Sequence, residues 1–426
     1  MNPLQALHAA GQSIWLDYIR RHLLMSGELR RLIEDDALTG MTSNPTLFEK
    51  AIVGSADYDE ALRAALATNP RASAVELYER LAIEDIQMAA DALRRVWDRE
   101  SGQDGFVSLE VPAGLARDAA ATIAEARRLF HAVDRPNVMI KVPATQESLA
   151  AIEELTSDGI NVNITLIFSA RQYEAVAQAY LRGIARCADP RRVCSVASFF
   201  VSRVDTKVDQ ALDRLGTDQA LALRGRIAVA NAKIAYERFK ALFLGPEFET
   251  LRGKGARVQR PLWASTGTKD PKYRDVKYVE ELIGPDTVNT MPPATLDAFR
   301  DHGHVQPTLE EGVEDARRQI AELGRLGIDL DHVADQLQQE GLDSFDKSFG
   351  QLLQSLDAKR EALPGTPVDR QTFALGGVQP RVTARVDAWT REHVAGRFWH
   401  KDPTLWGPRG TPELSDRLGW LTAHEG

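Results

Sequence analysis

The sequence predicts an α/β protein: a (β/α)8 TIM barrel with additional C-terminal helices and a short tail. Three observations lead there. First, about eight short strand patterns, near 12–17, 38–44, 105–111, 137–142, 160–166, 193–200, 258–265 and 286–290, are separated by amphipathic helical stretches. That alternation implies parallel βαβ units, and about eight of them suffice to close a barrel. Second, the strands carry one apolar and one polar face, whereas strands of an open sheet covered on both sides tend to be apolar throughout. Third, "LEVPAG" and "IKVPAT" each place a charged residue two positions before a strand-closing proline. An open doubly wound sheet is the main competitor, and alternation alone would also fit an antiparallel sheet.

Taken in order, "SIWLD" sets Ser13, Trp15 and Asp17 against Ile14 and Leu16. The second strand ends in Thr42 and Asn44. In "FVSLEV", Ser108 and Glu110 oppose Val107, Leu109 and Val111. "PNVMIKVPAT" buries Lys141 among Val138, Met139, Ile140 and Val142, a costly place for an ammonium unless something pairs with it. "INVNITL" puts Asn161, Asn163 and Thr165 on one face. Helices such as 74–97, 116–133 and 222–243 fill the intervals, and 308–363 reads as helices closing the barrel. In that segment Phe345 and Phe349, four residues apart, read as core contacts rather than substrate contacts. The domain reading is 1–363 for the barrel with its closing helices and 364–426 for a helical extension or connector.

Composition narrows the function. The 426 residues are 43% hydrophobic and 27% charged, with a net charge of −9. An acidic chain without a basic block is a poor binder of nucleic acid or an anionic membrane surface. No apolar run approaches the ~20 residues of a membrane span, and no secretory signal is visible, so a cytoplasmic protein is expected. Two cysteines, Cys187 and Cys194, suit packing rather than a disulfide framework or zinc site. No metal site is expected: "DHGH" (301–304) reads as a loop, and His393 and His400 lack ligand spacing.

In adjacent strands of similar register, Glu110 and Lys141 point inward at one level. The inferred ring is Asp17, Thr42, Asn44, Glu110, Lys141, Asn163, Thr165, Ser198 and Ser265. A partly desolvated lysine has a disfavoured charged state, and its characteristic reaction is Schiff-base formation with a carbonyl. One carboxylate can move the proton of the substrate hydroxyl, and a second, helped by a hydroxyl, can handle the water lost and regained. The competing reading of Glu110 and Asp17 is a structural ion pair with Lys141. Arg203, Ser265 and Lys269 could hold a phosphate after the sixth and seventh strands, although "STGTK" by itself reads more readily as a plain turn, a gap that Arg203 narrows.

Together, "LTGMTSNPTLFEKAI", "VSLEVPAGLA", "NVMIKVPAT", "GINVNITLIFS", "SFFVSRVD" and "WASTGTKDPKY" resemble the transaldolases, in particular the longer bacterial type, over roughly residues 10–360. The resemblance implies transfer of a dihydroxyacetone unit between sugar phosphates through a Schiff base on Lys141, without metal or organic cofactor. It implies Asp17 for proton transfer, Glu110 and Thr165 for the water, and Thr42, Asn44, Asn163 and Ser198 for the substrate hydroxyls. Phe200 and Arg203 fall in "SFFVSRVD", with Arg203 matching a phosphate ligand. Shorter members have an arginine after the seventh-strand serine where this chain reads "ASTGTK"; Lys269 is the inferred replacement. The tryptophan-rich tail resembles the connector of fused transaldolase–glucose-6-phosphate isomerase proteins, which implies an isomerase domain or neighbour as a possible partner. Two other functions stay open: an aldolase releasing free dihydroxyacetone, and a non-catalytic sugar-phosphate-binding module.

Overall fold

The computed structural model describes residues 2–363, 375–392, 394–399 and 405. Its eight strands run in chain order around a closed parallel barrel: β1 (Gln12–Asp17), β2 (Leu38–Thr42), β3 (Phe106–Glu110), β4 (Val138–Pro143), β5 (Val162–Ile167), β6 (Ser195–Phe200), β7 (Gln259–Ala264) and β8 (Thr287–Met291). The ring closes where β1 pairs with β8, from Gln12 opposite Thr287 to Leu16 opposite Met291. That pairing rules out the open sheet. Each strand pattern read from the sequence is a strand here, within a few residues of its expected ends.

Register then fixes what faces the interior. Residues directly opposite in a parallel pair share a face, because side chains alternate with period two. Asp17 lies opposite Thr42, Glu110 opposite Lys141, and Lys141 opposite Asn163. All of them therefore point into the barrel near its carboxyl end.

Below them the interior is filled. Trp15 is fully buried and lies across Gly40, where a Cβ would sit 2.4 Å from the indole; only glycine leaves room. The Trp15 indole N–H donates to Asp104 at 2.9 Å, Ser13 donates to the other carboxylate oxygen, and Arg260 donates to Ser13 at 2.6 Å. This cluster forms the floor.

The outer faces of the strands meet helices. Helix α1 (Pro45–Val53) starts at Asn44, whose side-chain oxygen accepts the Leu47 N–H at 3.0 Å. Helix α2 (Ala74–Arg99) is nucleated by a capping box between Ser73 and Glu76, and buries Leu77, Leu81, Ile86, Leu93 and Val96 along one stripe. Helix α3 (Ser202–Leu215) follows β6 after a single residue, and ends on Gly216 with φ 64°, a left-handed stop that glycine adopts freely.

Helix α4 (Leu330–Ala362) binds to the strand ends and to α1. The Gln338 amide donates to the carbonyls of Ala144 and Leu166 at 2.9 and 3.0 Å. Thr46 donates to Ser348 at 2.8 Å, and Lys359 donates to the Ile52 carbonyl at 2.9 Å.

The chain forms two compact units, Met1–Thr366 and Pro367–Gly426. Within the second, Gln379–Arg391 and Val394–Trp399 are helical. His393, His400 and most of the "LPGTPVD" linker lie outside the described residues. No described helix is long and apolar enough to cross a membrane. Both cysteines are free thiols, and Cys194 is buried against the Gly102 carbonyl at 3.2 Å.

Candidate active site

Lys141 is 4% exposed and Glu110 8% exposed, so the lysine is shut off from bulk water. Its ammonium donates to Glu110 at 3.1 Å and to the Ser43 carbonyl at 3.2 Å. Strand register alone causes this meeting: β3 and β4 set the two side chains side by side, and β2 ends with Ser43 turned toward them. The Glu110 half of the ion pair considered from sequence thus exists, whereas none of the ion pairs among the described residues joins Asp17 to Lys141. A buried pair of this kind is weak support for stability, since desolvation offsets most of its Coulomb attraction. Burial pushes the Glu110 carboxyl up; the Lys141 charge and hydrogen bond oppose that, and Asp17 adds to it.

Asp17 is the second acid. It is half-buried at the end of β1, and Thr42 donates to it at 2.7 Å while also lying 2.7 Å from Thr290. Burial raises its pKa, against the pull of Lys141, the Thr42 hydrogen bond, Arg203 and Lys269. Each of those three positive charges favours the ionised form of Asp17.

On the opposite wall the neutral residues form a chain. Ser198 donates to Asn163 at 2.6 Å, and Asn163 donates to Ser108 at 2.9 Å. Of the buried polar atoms without a hydrogen-bond partner among the described residues, two belong to this site, Glu110 Oε1 and Thr165 Oγ1. Buried polar groups are nearly always satisfied in native proteins, so these two acceptor sites are available to a small polar molecule. Thr165 is followed by Leu166 at φ 60°, a conformation that costs a non-glycine residue strain and that accompanies a register shift between β5 and β6. Strain of this sort collects at functional sites.

The phosphate candidates split. Arg203 is half-buried in the first turn of α3, its guanidinium 5.3 Å from the Phe200 ring centroid, and no acidic group among the described residues pairs with it. Burial lowers its pKa, which Asp17 and Glu340 partly offset. Ser265 takes φ 56° at the end of β7, and its hydroxyl lies 2.9 Å from that of Ser202. Lys269 is exposed on the loop beyond, without an ion pair among the described residues. Asn44 differs from expectation in part: its oxygen caps α1, leaving the amide N–H groups for another partner.

Three contributors were not legible in the strand pattern: the Ser43 carbonyl, Thr290 and Phe345. Phe349 packs on Tyr78 with ring centroids 5.4 Å apart, as a core contact should. Phe345 is buried too, yet its ring centroid lies 5.7 Å from the Lys141 ammonium. The first two could have been suspected from neighbouring "TSNP" and the β8 alternation; nothing local signals the third. No group of three or more potential metal ligands occurs among the described residues. His302 of "DHGH" ends the helix Pro293–His302 and bonds to Asp275 and Asp301 at 2.9 and 3.1 Å, a correction to the loop reading for that residue.

Comparison with known proteins places the chain in a family. The family model described as "Transaldolase/Fructose-6-phosphate aldolase" matches residues 14–356. A protein named Transaldolase from Thiobacillus denitrificans is 48% identical over 357 residues, covering 83% of this chain and 99% of its own length. Transaldolase 1 of Streptomyces coelicolor is 49% identical over 365 residues, covering 84% and 95%. Transaldolase 2 of Nostoc punctiforme is 45% identical over 377 residues, covering 85% and 98%. The chain belongs to the transaldolase/fructose-6-phosphate aldolase family.

Proposed function

We propose that this protein is a transaldolase. It moves a dihydroxyacetone unit from a ketose phosphate, fructose 6-phosphate or sedoheptulose 7-phosphate, to an aldose phosphate, erythrose 4-phosphate or glyceraldehyde 3-phosphate, in the non-oxidative pentose phosphate pathway. The observation that carries the reading is one buried amine held 3.1 Å from a buried carboxylate whose second oxygen has no partner among the described residues.

In the proposed mechanism the Lys141 amine adds to the ketose carbonyl and water leaves, with Glu110 and Thr165 holding that water. The resulting cationic imine draws electrons from the adjacent carbon–carbon bond. Asp17 takes the proton of the neighbouring hydroxyl, the bond breaks, and an aldose phosphate departs. The enamine left on Lys141 attacks the acceptor aldehyde, Asp17 returns the proton, and water releases the product. Thr42, Asn44, Asn163 and Ser198 position hydroxyls; Phe200, Arg203, Ser265 and Lys269 form the phosphate end. Arg203 is the stronger candidate there, because it is the half-buried cation without an acidic partner. The reaction needs no metal or organic cofactor, and the protein works in the cytoplasm. Residues 1–363 carry the activity, and 364–426 act as an extension or connector toward a glucose-6-phosphate isomerase domain or neighbour.

Borohydride reduction in the presence of fructose 6-phosphate should fix a dihydroxyacetone adduct on Lys141, read by peptide mass spectrometry. No adduct there would sink the mechanism. Assaying free dihydroxyacetone with and without erythrose 4-phosphate separates a transferase from an aldolase.

A further inference from the structure

We infer that Phe345 roofs the covalent intermediate on Lys141 and sets how often that intermediate is lost to water. The inference rests on the Schiff-base reading above. Transfer demands that the enamine persist until an aldose acceptor arrives. Its competing fate is simple: the enamine carbon takes a proton, water adds to the imine carbon, the C–N bond breaks, and dihydroxyacetone leaves a regenerated amine. Glu110 and Thr165 serve water entry, so something else must keep further water away.

Phe345 has the position for that. Its ring centroid is 5.7 Å from Lys141 Nζ, within reach of a cation–π contact, and the residue is 4% exposed. An aromatic face offers water no hydrogen-bond acceptor comparable to a carbonyl, while it favours positive charge on the nitrogen beneath it. The helix that carries it is held at the barrel mouth. Gln338 grips the Ala144 and Leu166 carbonyls at 2.9 and 3.0 Å, and a Cβ on Gly341 would lie 2.7 Å from the Leu166 side chain. Ser348 accepts from Thr46 at 2.8 Å on the other side of Phe345. The ring is therefore fixed over the nitrogen from both directions along the helix.

The test uses the full chain with fructose 6-phosphate and saturating erythrose 4-phosphate. The quantity read is free dihydroxyacetone released per donor cleaved. Phe345→Ala should raise that share by about tenfold or more, because both the apolar cover and the cation–π contact go. Phe345→Leu should give a smaller rise, and it decides the matter if the alanine variant does not fold. Phe349→Ala, one turn along the same helix and packed on Tyr78, should lower stability without changing the share. An unchanged share in the Phe345 variants, with Lys141 still trapped by borohydride, overturns the inference alone. Loss of trapping on Lys141 in the unaltered protein overturns the Schiff-base reading and the inference with it.

Discussion

The barrel holds two buried carboxylates beside basic groups, one at the floor and one at the mouth, and they are treated in opposite ways. Asp104 at the floor is saturated: Trp15 and the Gly105 N–H donate to one oxygen at 2.9 and 3.0 Å, while Ser13 and Arg260 attend the other. Glu110 at the mouth keeps one oxygen without a partner among the described residues while Lys141 holds the other. The floor has its bonding completed by protein, which is what rigid packing requires. The mouth leaves bonding capacity in a site shielded from bulk solvent, which costs stability and is where chemistry can enter.

Substitutions should separate the two ends. At the mouth, Lys141→Ala should cut transfer activity by at least about 10⁴-fold, measured as steady-state turnover per folded molecule. Retained turnover would reduce Lys141 to a structural cation. Asp17→Asn should lower turnover by roughly 10²–10⁴-fold. The acid limb of the pH–rate profile should lie above the ordinary carboxylate range, because burial raises both Asp17 and Glu110 and activity falls as pH drops through those raised values. A limb at an ordinary carboxylate pKa would erase the contrast.

At the floor the expectation reverses. Asp104→Ala breaks a buried pair and strands the Arg260 and Trp15 donors, so unfolding free energy should fall by about 3–5 kcal/mol in denaturant titrations, while turnover per folded molecule stays near that of the unaltered protein.

Asp205 sharpens the contrast, being buried and hydrogen-bonded but not ion-paired. It accepts from the Ala228 N–H at 2.7 Å and from Tyr278 at 2.9 Å, and burial pushes its carboxyl from 3.8 up to about 6. A carboxyl raised on folding contributes stability that is complete below the unfolded value and lost as pH rises through the folded one. Between about pH 4 and pH 7 the protein should thus lose roughly 2 kcal/mol relative to Asp205→Asn. Parallel pH profiles of stability would miss that gap if burial were not the cause. Smallest is Arg203→Met, which should raise the KM for phosphorylated donors about tenfold to a hundredfold, as loss of a charge-assisted hydrogen bond does, with little change for an unphosphorylated ketose. Equal effects on both would move the phosphate elsewhere.

The sequence by itself determined the strand set and which side chains face inward, because period-two alternation is local. It also brought Glu110 level with Lys141, since two strands closed by matching prolines share a register. The same local logic fails for contacts between distant elements. That Asp104 plugs the floor from a loop, that the Ser43 carbonyl meets the ammonium, and that Phe345 comes over it were decided only in the folded chain. Helical spacing shows that Phe345 is buried but not against what; that follows from where α4 crosses the strand ends, which Gln338 and Ser348 fix through partners far away in the sequence.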